Sequence, residues 1–264
     1  MAAPCRLGVL ALGDSITNGG GELQWGVALQ SWALWTARGL GVPYTGFAED
    51  GARAADVVGR QLPALAARTD PAARYDVGCL YVGVNDVRAL DFDAEHFARD
   101  HRTALDALAA RCERVLAVTM PEDLGRPRAG NLHQGNAIVI AQARAARALL
   151  LDLRDFRGRN LVMADHVHPT AFGQIAIAER ALDVLAADGV PVRVRPASLV
   201  DYETTRLGRL RGDVTYAYRH AKVSARAAAI RAGVRAGWVP RAAPAAAAGS
   251  GRRGTAADRT PASP

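Results

Sequence analysis

The chain has 264 residues, half of them hydrophobic, enough for one large α/β domain or for a domain with an extension. No run approaches the roughly 18–20 consecutive apolar residues of a membrane-spanning helix. The N-terminal sequence has no basic, apolar and cleavage regions, which predicts that it is not a signal peptide. Three widely spaced cysteines (Cys5, Cys79 and Cys112) exclude a disulfide framework and a Cys-rich metal site. Together these features predict a cytoplasmic protein.

The net charge of +7 is concentrated near the C-terminus. Residues 190–264 contain 14 of the 33 basic residues but only 4 of the 26 acidic ones, so the preceding part is slightly acidic. An Arg-rich segment can bind an anionic surface such as a membrane or a nucleic acid. It can equally form a solvated helix packed against the body of the protein. Composition leaves both open, and the sequence has no clear nucleic-acid-binding module.

Uniformly apolar runs predict buried parallel strands, because a strand covered on both faces lacks the alternation of a half-exposed one. Three such runs occupy residues 7–12, 77–84 and 114–120, and shorter strands are predicted just before Gly51 and at 161–164. Helical patterns occupy the segments between them: 28–41, 54–68 with a break at Pro63, 94–112, 136–150, and a last helix that begins near Pro169 and ends at Gly189.

The alternation of strands and helices predicts a doubly wound α/β domain over residues 5–190. Its architecture would be a three-layer α/β/α flavodoxin-like sandwich with a mostly parallel sheet. The composition changes after Gly189. Residues 191–239 are predicted to form a basic helical extension, with an Ala- and Arg-rich helix over 214–238. Residues 240–264 are rich in Pro, Ala, Gly and Ser and predict a disordered tail.

Small and polar residues follow four of the predicted strands. Residues 13–15 (Gly-Asp-Ser) follow the first strand, Gly51 the second, Asn85 the third and residues 165–169 (Asp-His-Val-His-Pro) the last. Because ligands bind beyond the carboxyl ends of parallel strands, we expect these residues to converge at one edge of the sheet.

The residue types suit acyl transfer by an activated serine. The Ser15 hydroxyl needs a base, and a histidine such as His168 can accept its proton. Asp165 lies three residues before His168, close enough to orient the imidazole. The oxyanion formed by attack on an acyl carbonyl needs fixed donors, which the Ser15 N–H, the Gly51 N–H and the Asn85 amide can supply. Glycine at position 51 would also let the substrate approach the backbone.

These motifs carry a family resemblance. The segments GDSIT, GVND and DHVHP, together with Gly51, occur in the order and approximate spacing of the four blocks of the SGNH (GDSL-type) ester hydrolases, over about residues 7–186. The resemblance implies a serine ester hydrolase, a GDSL-type esterase/lipase, that needs no metal and no organic cofactor. It assigns Ser15 as nucleophile, with His168 as base and Asp165 as its partner. Gly51 and Asn85 then correspond to oxyanion donors.

The chain departs from the family at one block. Its second block reads EDGARAAD, where the family often has an asparagine shortly before the glycine. The G-x-S-x-G motif of the α/β-hydrolases is absent. No lid-like apolar segment is evident, which favours a small-molecule ester with a short acyl group.

Two other functions remain compatible with the sequence. One is a non-catalytic membrane- or nucleic-acid-associated module that acts through the basic tail. The other is a metal-dependent phosphoesterase using Asp14, Asp165, His166 and His168, which lacks a convincing further ligand. His166 is otherwise expected to line the pocket or face solvent. Glycines 19–21 match no phosphate-binding motif and predict a mobile loop over the site.

Overall fold

A computed structural model of the chain describes residues 6–202 and 205–235. Five parallel strands form one sheet in the order β2-β1-β3-β4-β5, the order of flavodoxin-like folds. The strands are β1 (Val9–Gly13), β2 (Tyr44–Gly46), β3 (Tyr75–Tyr81), β4 (Cys112–Val118) and β5 (Leu149–Leu151). Cys5 and the predicted disordered tail, residues 240–264, lie outside the described residues.

Helices connect the strands and cover the sheet. They are α1 (Ser15–Asn18), α2 (Trp32–Leu40), α3 (Ala54–Asp56), α4 (Leu62–Arg68), α5 (Val84–Arg88), α6 (Ala94–Ala109), α7 (Leu132–Ala145), α8 (Ala171–Ala187) and α9 (Arg206–Arg235). A π-helical segment, Val57–Gln61, joins α3 to α4. The helix therefore continues through Pro63, contrary to the predicted break.

The hydrophobic core is divided by the sheet into two layers. Val9 and Ala11 of β1 belong to the cluster that contains residues of α2 and α8. Leu10 and Leu12 belong to the other cluster, with residues of α3, α4 and α6. Successive side chains of β1 thus enter opposite layers, which explains why its sequence is apolar throughout. The predicted three-layer α/β/α sandwich is confirmed.

The prediction of the last strand is wrong. Residues 161–164 form only an isolated antiparallel bridge, whereas β5 lies at the end of the segment 136–150 that was predicted to be helical. The helix ends earlier because Arg147 adopts a left-handed φ of 54°, and the three leucines that follow pair with β4. A loop, residues 152–164, therefore separates β5 from the Asp-His-Val-His-Pro segment.

Helix α9 packs on the loops that follow β1 and β5. It begins earlier than the predicted helix over 214–238, and Asp213 on α9 pairs with Arg159 at 2.7 Å. Arg219 pairs with Glu22. Within the described residues, no helix is long and apolar enough to cross a membrane. The division of the chain into a domain over 5–190 and an extension over 191–239 stays a prediction.

Candidate active site

The sheet and a tight turn place Ser15 at the carboxyl end of β1. Ser15 is the first residue of α1, and Asp14 caps this helix by accepting a hydrogen bond from the Ile16 N–H at 3.0 Å. Gly13 has a φ of 150°, and a Cβ there would lie 2.3 Å from the Tyr81 carbonyl oxygen. Only glycine fits this close approach of β1 to β3, so the turn fixes where the serine stands.

A buried glutamine stabilises the same turn from below. The Gln61 side chain accepts a hydrogen bond from the Gly13 N–H at 2.9 Å and donates one to the Gly13 carbonyl at 2.7 Å. Gln61 is fully buried and comes from the π-helical segment. Sequence reasoning missed it, because a single glutamine in a helix gives no signal that its partner is a distant backbone.

A second buried glutamine holds the glycine-rich loop in place. The Gln174 Nε2 donates to the carbonyls of Ile16 (2.9 Å) and Gly20 (3.1 Å), and its Oε1 accepts from the Trp32 N–H at 2.8 Å. The Gly20 N–H in turn donates to the Ser15 carbonyl at 2.6 Å. These contacts tie Gly20 to α1 and α8, and the mobility of the loop over the site stays a prediction.

Ser15, His168 and Asp165 form a continuous hydrogen-bonded chain. The Ser15 Oγ lies 3.0 Å from His168 Nε2, and His168 Nδ1 lies 2.8 Å from Asp165 Oδ2. The other carboxylate oxygen of Asp165 accepts the backbone N–H groups of Val167 (2.9 Å) and His168 (3.1 Å). The carboxylate is therefore fixed by the loop itself, and its second oxygen is left to orient the imidazole.

The charges of this chain suit proton transfer from the serine. The hydrogen bond with Asp165 raises the pKa of His168 above its ordinary value, although burial acts in the opposite direction. Burial opposes ionisation of Asp165, but hydrogen bonds from His168 and Val167 hold its carboxyl pKa below the usual value. An ionised carboxylate thus stabilises the imidazolium that forms when His168 accepts a proton.

Asp14, next to the serine, has a different environment. It is completely buried, and burial raises the pKa of its carboxyl to about 7. Its Oδ1 caps α1, and its Oδ2 has no hydrogen-bond partner among the described residues. Asp14 is therefore a structural cap rather than the acid that orients the base.

The expected oxyanion donors lie around the same turn. Asn85 is in the first turn of α5, directly after β3, and its Nδ2 donates to the Ala52 carbonyl at 3.0 Å. This bond uses one N–H of the amide and leaves the other. The Gly51 N–H makes no hydrogen bond within the described ranges, and the Ser15 N–H, at the start of α1, has no intrahelical acceptor.

The structure gives a different reason for glycine at position 51 than close approach of a substrate. A Cβ at Gly51 would meet no atom within 4 Å, but the residue has a φ of 76°, a left-handed conformation that glycine adopts at little cost. This turn is tied to the serine turn, because Asp50 accepts a hydrogen bond from Asn18 at 2.9 Å and the Glu49 N–H donates to the Gly13 carbonyl at 3.1 Å.

Replacing Asn85 by alanine is expected to lower kcat about 10²–10³-fold with little change in KM, because the amide acts on the charge that develops in the transition state. The matched control is Asn18→Ala. This change removes the hydrogen bond from Asn18 to Asp50 beside Gly51 but none of the expected oxyanion donors, so the variant should stay close to wild type. Steady-state kinetics and melting temperatures check both variants. A change confined to KM would contradict the assigned role.

His166 makes no hydrogen bond to Ser15. Its Nδ1 lies 2.8 Å from Asp123 Oδ2, and its ring centroid is 5.4 Å from that of His220 on α9. Of the residues in the metal-dependent alternative, Asp14 is a helix cap and Asp165 is bonded to the base. Across residues 6–202 and 205–235, no group of three or more His, Cys, Asp or Glu side chains is arranged to hold a metal ion.

Comparisons with known proteins identify the family and the fold. The GDSL-like Lipase/Acylhydrolase family matches residues 11–175. The acetylxylan esterase Axe2 from Geobacillus stearothermophilus is 19% identical with a TM-score of 0.52, and the match covers 72% of this chain and 100% of that chain. LAE5, an alpha/beta hydrolase enzyme from the metagenome of Lake Arreo in Spain, is 19% identical with a TM-score of 0.53, over 70% of this chain and 97% of that chain. At these identities the structural similarity concerns the fold. No curated protein is significantly similar to the chain.

The matched range includes Ser15, Gly51 and Asn85 and the loop that carries Asp165 and His168. The chain belongs to the GDSL-like lipase/acylhydrolase family and is a carboxylic ester hydrolase.

Proposed function

We propose that the protein hydrolyses small esters with short acyl groups through Ser15, His168 and Asp165. The observation that carries this proposal is the hydrogen-bonded chain from the Ser15 hydroxyl through His168 to Asp165, with distances of 3.0 and 2.8 Å. Nucleophile, base and orienting acid are in reach of one another before any substrate binds.

The reaction would proceed through an acyl-enzyme. Ser15 Oγ attacks the acyl carbonyl carbon while His168 Nε2 takes the hydroxyl proton, and the N–H groups of Ser15 and Gly51 and the Asn85 amide stabilise the oxyanion. Collapse of the tetrahedral intermediate breaks the ester bond, and His168 gives its proton to the leaving alcohol. Water then loses a proton to His168 and attacks the acyl group on Ser15. Collapse of this second tetrahedral intermediate breaks the bond to Ser15 Oγ, which takes the proton back from His168, and the carboxylic acid is released.

Two observations support a short acyl group. The name of the similar Axe2 enzyme assigns it to acetyl esters of xylan. In addition, Gln174 holds the start of the glycine-rich loop through the carbonyls of Ile16 and Gly20, which supports a site of fixed shape near Ser15 that suits a small acyl group.

A series of p-nitrophenyl esters from acetate to palmitate tests the proposal. We expect kcat/KM to be highest for acetate or butyrate, to fall with longer chains, and to be unaffected by EDTA. A maximum at palmitate would contradict the short acyl group. Loss of activity with EDTA, restored by a divalent cation, would contradict a serine mechanism that needs no metal.

A cytoplasmic location remains part of the proposal. Cys79 and Cys112 are buried free thiols, and burial raises the pKa of the Cys112 thiol to about 12, which disfavours the reactive thiolate. Fractionation of cells that produce the chain checks the location, and recovery of the protein outside the cytoplasmic fraction would contradict it.

We also propose that α9 contacts an anionic lipid surface. Leu207, Leu210 and Val214 are exposed, and their spacing of three and four residues places them on one face of the helix. The exposed side chains of Arg206 and Arg211 lie on either side of this face. An apolar stripe beside basic residues is typical of helices that lie in the interface of an anionic membrane.

Sedimentation of the full chain with vesicles tests this contact. We expect more binding to phosphatidylcholine vesicles that contain phosphatidylserine than to phosphatidylcholine alone, with a decrease in high salt. The triple change Leu207→Ser, Leu210→Ser and Val214→Ser should abolish binding without changing ester hydrolysis. Equal binding to both vesicles, or binding to nucleic acid alone, would contradict the proposal.

A further inference from the structure

A mostly apolar pocket of about 380 Å³ lies between α9 and the loop that follows β5. Phe156, Val162, Val167 and Ile177 contribute to its apolar wall, and Tyr216 contributes from α9. A volume of this size lies in the range of small-molecule sites and accommodates a single six-membered ring with substituents. We call it the α9 pocket.

The α9 pocket adjoins the backbone that carries both reacting groups. Its wall includes Ile16, which directly follows Ser15, and both neighbours of His168, Val167 and Pro169. The oxyanion donors follow β2 and β3, whereas much of the pocket wall comes from the loops after β4 and β5. Since β1 lies between β2 and β3, the pocket is on the side of the nucleophile away from the Gly51 turn.

If the protein hydrolyses esters as proposed, the geometry of the site decides which part of the substrate lies next to the α9 pocket. The carbonyl oxygen must face the donors at Gly51 and Asn85. The alcohol must lie on the side of His168, because His168 returns the proton to the leaving oxygen. We infer that the α9 pocket binds the alcohol part of the ester, and that α9 thereby selects the substrate.

The pocket wall also specifies a polar group on that alcohol. His166 lines the pocket, and its Nε2 is buried with no hydrogen-bond partner among the described residues. Asp123 contacts the other ring nitrogen at 2.8 Å, which places the proton on Nδ1 and leaves Nε2 as an acceptor. Burial keeps the pKa of His166 below its ordinary value, so the neutral ring is favoured. The pocket therefore suits a ring-containing alcohol. His166 Nε2 has almost no accessible surface in this structure, so a hydroxyl on that alcohol donates to it only when the imidazole turns towards the pocket.

Helix α9 is held in position to form the outer wall. Asp213, one turn before Tyr216, pairs with Arg159 on the loop at 2.7 Å. The Tyr216 ring stacks on His220 at 5.9 Å, and His220 contacts the ring of His166 at 5.4 Å. The family match ends at residue 175, so this wall comes from a part of the chain outside the matched region.

The test compares three acetate esters with similar leaving oxygens: ethyl acetate, benzyl acetate and 3-hydroxybenzyl acetate. We expect kcat/KM to rise in that order, with about 10-fold or more between the first and the last. Tyr216→Ala should lower kcat/KM for both benzyl esters about 10-fold and leave ethyl acetate within about 2-fold. His166→Phe should remove the preference for the hydroxybenzyl ester over the benzyl ester.

The matched control is Tyr218→Ala, which removes an exposed tyrosine of the same helix and should change none of the three values. Val162→Phe fills the pocket from the loop side. The same three kcat/KM values measured on this variant test the inference even if Tyr216→Ala lowers the melting temperature. A uniform effect of both pocket variants on all three esters, or no effect on any, would overturn the inference. Ser15-dependent hydrolysis of p-nitrophenyl acetate by the same preparations shows whether the proposed function survives that outcome.

Discussion

Replacing Ser15 by alanine is expected to lower kcat for p-nitrophenyl acetate by about 10⁴–10⁶-fold. The variant retains the oxyanion donors, so hydrolysis about 10³–10⁴-fold faster than in water should remain. The methyl group of alanine replaces a half-buried hydroxyl whose only side-chain partner among the described residues is His168. The melting temperature should therefore change little, and the loss belongs to catalysis rather than to folding.

The control for this substitution is Ser198→Ala. The Ser198 hydroxyl is exposed and donates to the Arg195 carbonyl at 2.7 Å, on the short helical turn after α8. Its removal should leave kcat unchanged. If Ser15→Ala kept wild-type activity on every ester while remaining folded, the nucleophile would lie elsewhere.

Replacing Asp165 by asparagine is expected to lower kcat/KM about 10⁴-fold at neutral pH. Asparagine can still accept the backbone N–H groups of Val167 and His168 through its oxygen, so the loop keeps its shape. Its amide then faces His168 Nδ1 as a donor and favours the tautomer with the proton on Nε2. That tautomer cannot accept the proton of Ser15.

The pH profile gives this prediction a second readout. Activity requires neutral His168, so kcat/KM falls as the pH falls through the pKa of His168. In the wild type, Asp165 raises this pKa, and the acid limb should lie above the ordinary histidine pKa of about 6.5. In Asp165→Asn the hydrogen bond to the charged imidazole is lost, so the acid limb should move to lower pH.

The chain offers a matched control for Asp165. Asp93 lies 2.8 Å from His96 Nδ1 in an exposed pair on α6, and asparagine caps a helix as well as aspartate does. Asp93→Asn should leave both kcat/KM and the pH profile unchanged. An acid limb at the same pH in wild type and Asp165→Asn would mean that Asp165 does not act on His168.

The elements that sequence predicts well here are those whose signal is local. The strand β1 and the Gly-Asp-Ser turn lie next to each other in the chain, and both are where the pattern places them. β5 is a counterexample, because its three leucines directly follow an Ala/Arg-rich helix and continue the apolar pattern. The left-handed backbone conformation of Arg147 ends this helix. It cannot be predicted from the sequence, because arginine is not a residue type that favours this conformation.

The site shows the same limit for contacts that are distant in sequence. The segment Asp165–Pro169 has two histidines, and the residue types alone do not say which one acts on the serine. In the fold, His168 pairs with Asp165 three residues away, whereas His166 pairs with Asp123, which comes from the loop after β4. Gln61 is similar, since its partner Gly13 lies 48 residues away.

The most direct test of the central claim is labelling with a fluorophosphonate, which reacts with activated serine hydroxyls. The labelled wild type and the labelled His168→Ala variant would be analysed by intact mass and peptide mapping. The wild-type preparation would first be shown to hydrolyse p-nitrophenyl acetate. We predict one adduct on Ser15 in the wild type and a rate at least about 10²-fold lower in His168→Ala, because the serine loses its base. An active wild-type enzyme that gained no adduct, or gained it on another residue, would contradict the assignment of Ser15 as the nucleophile.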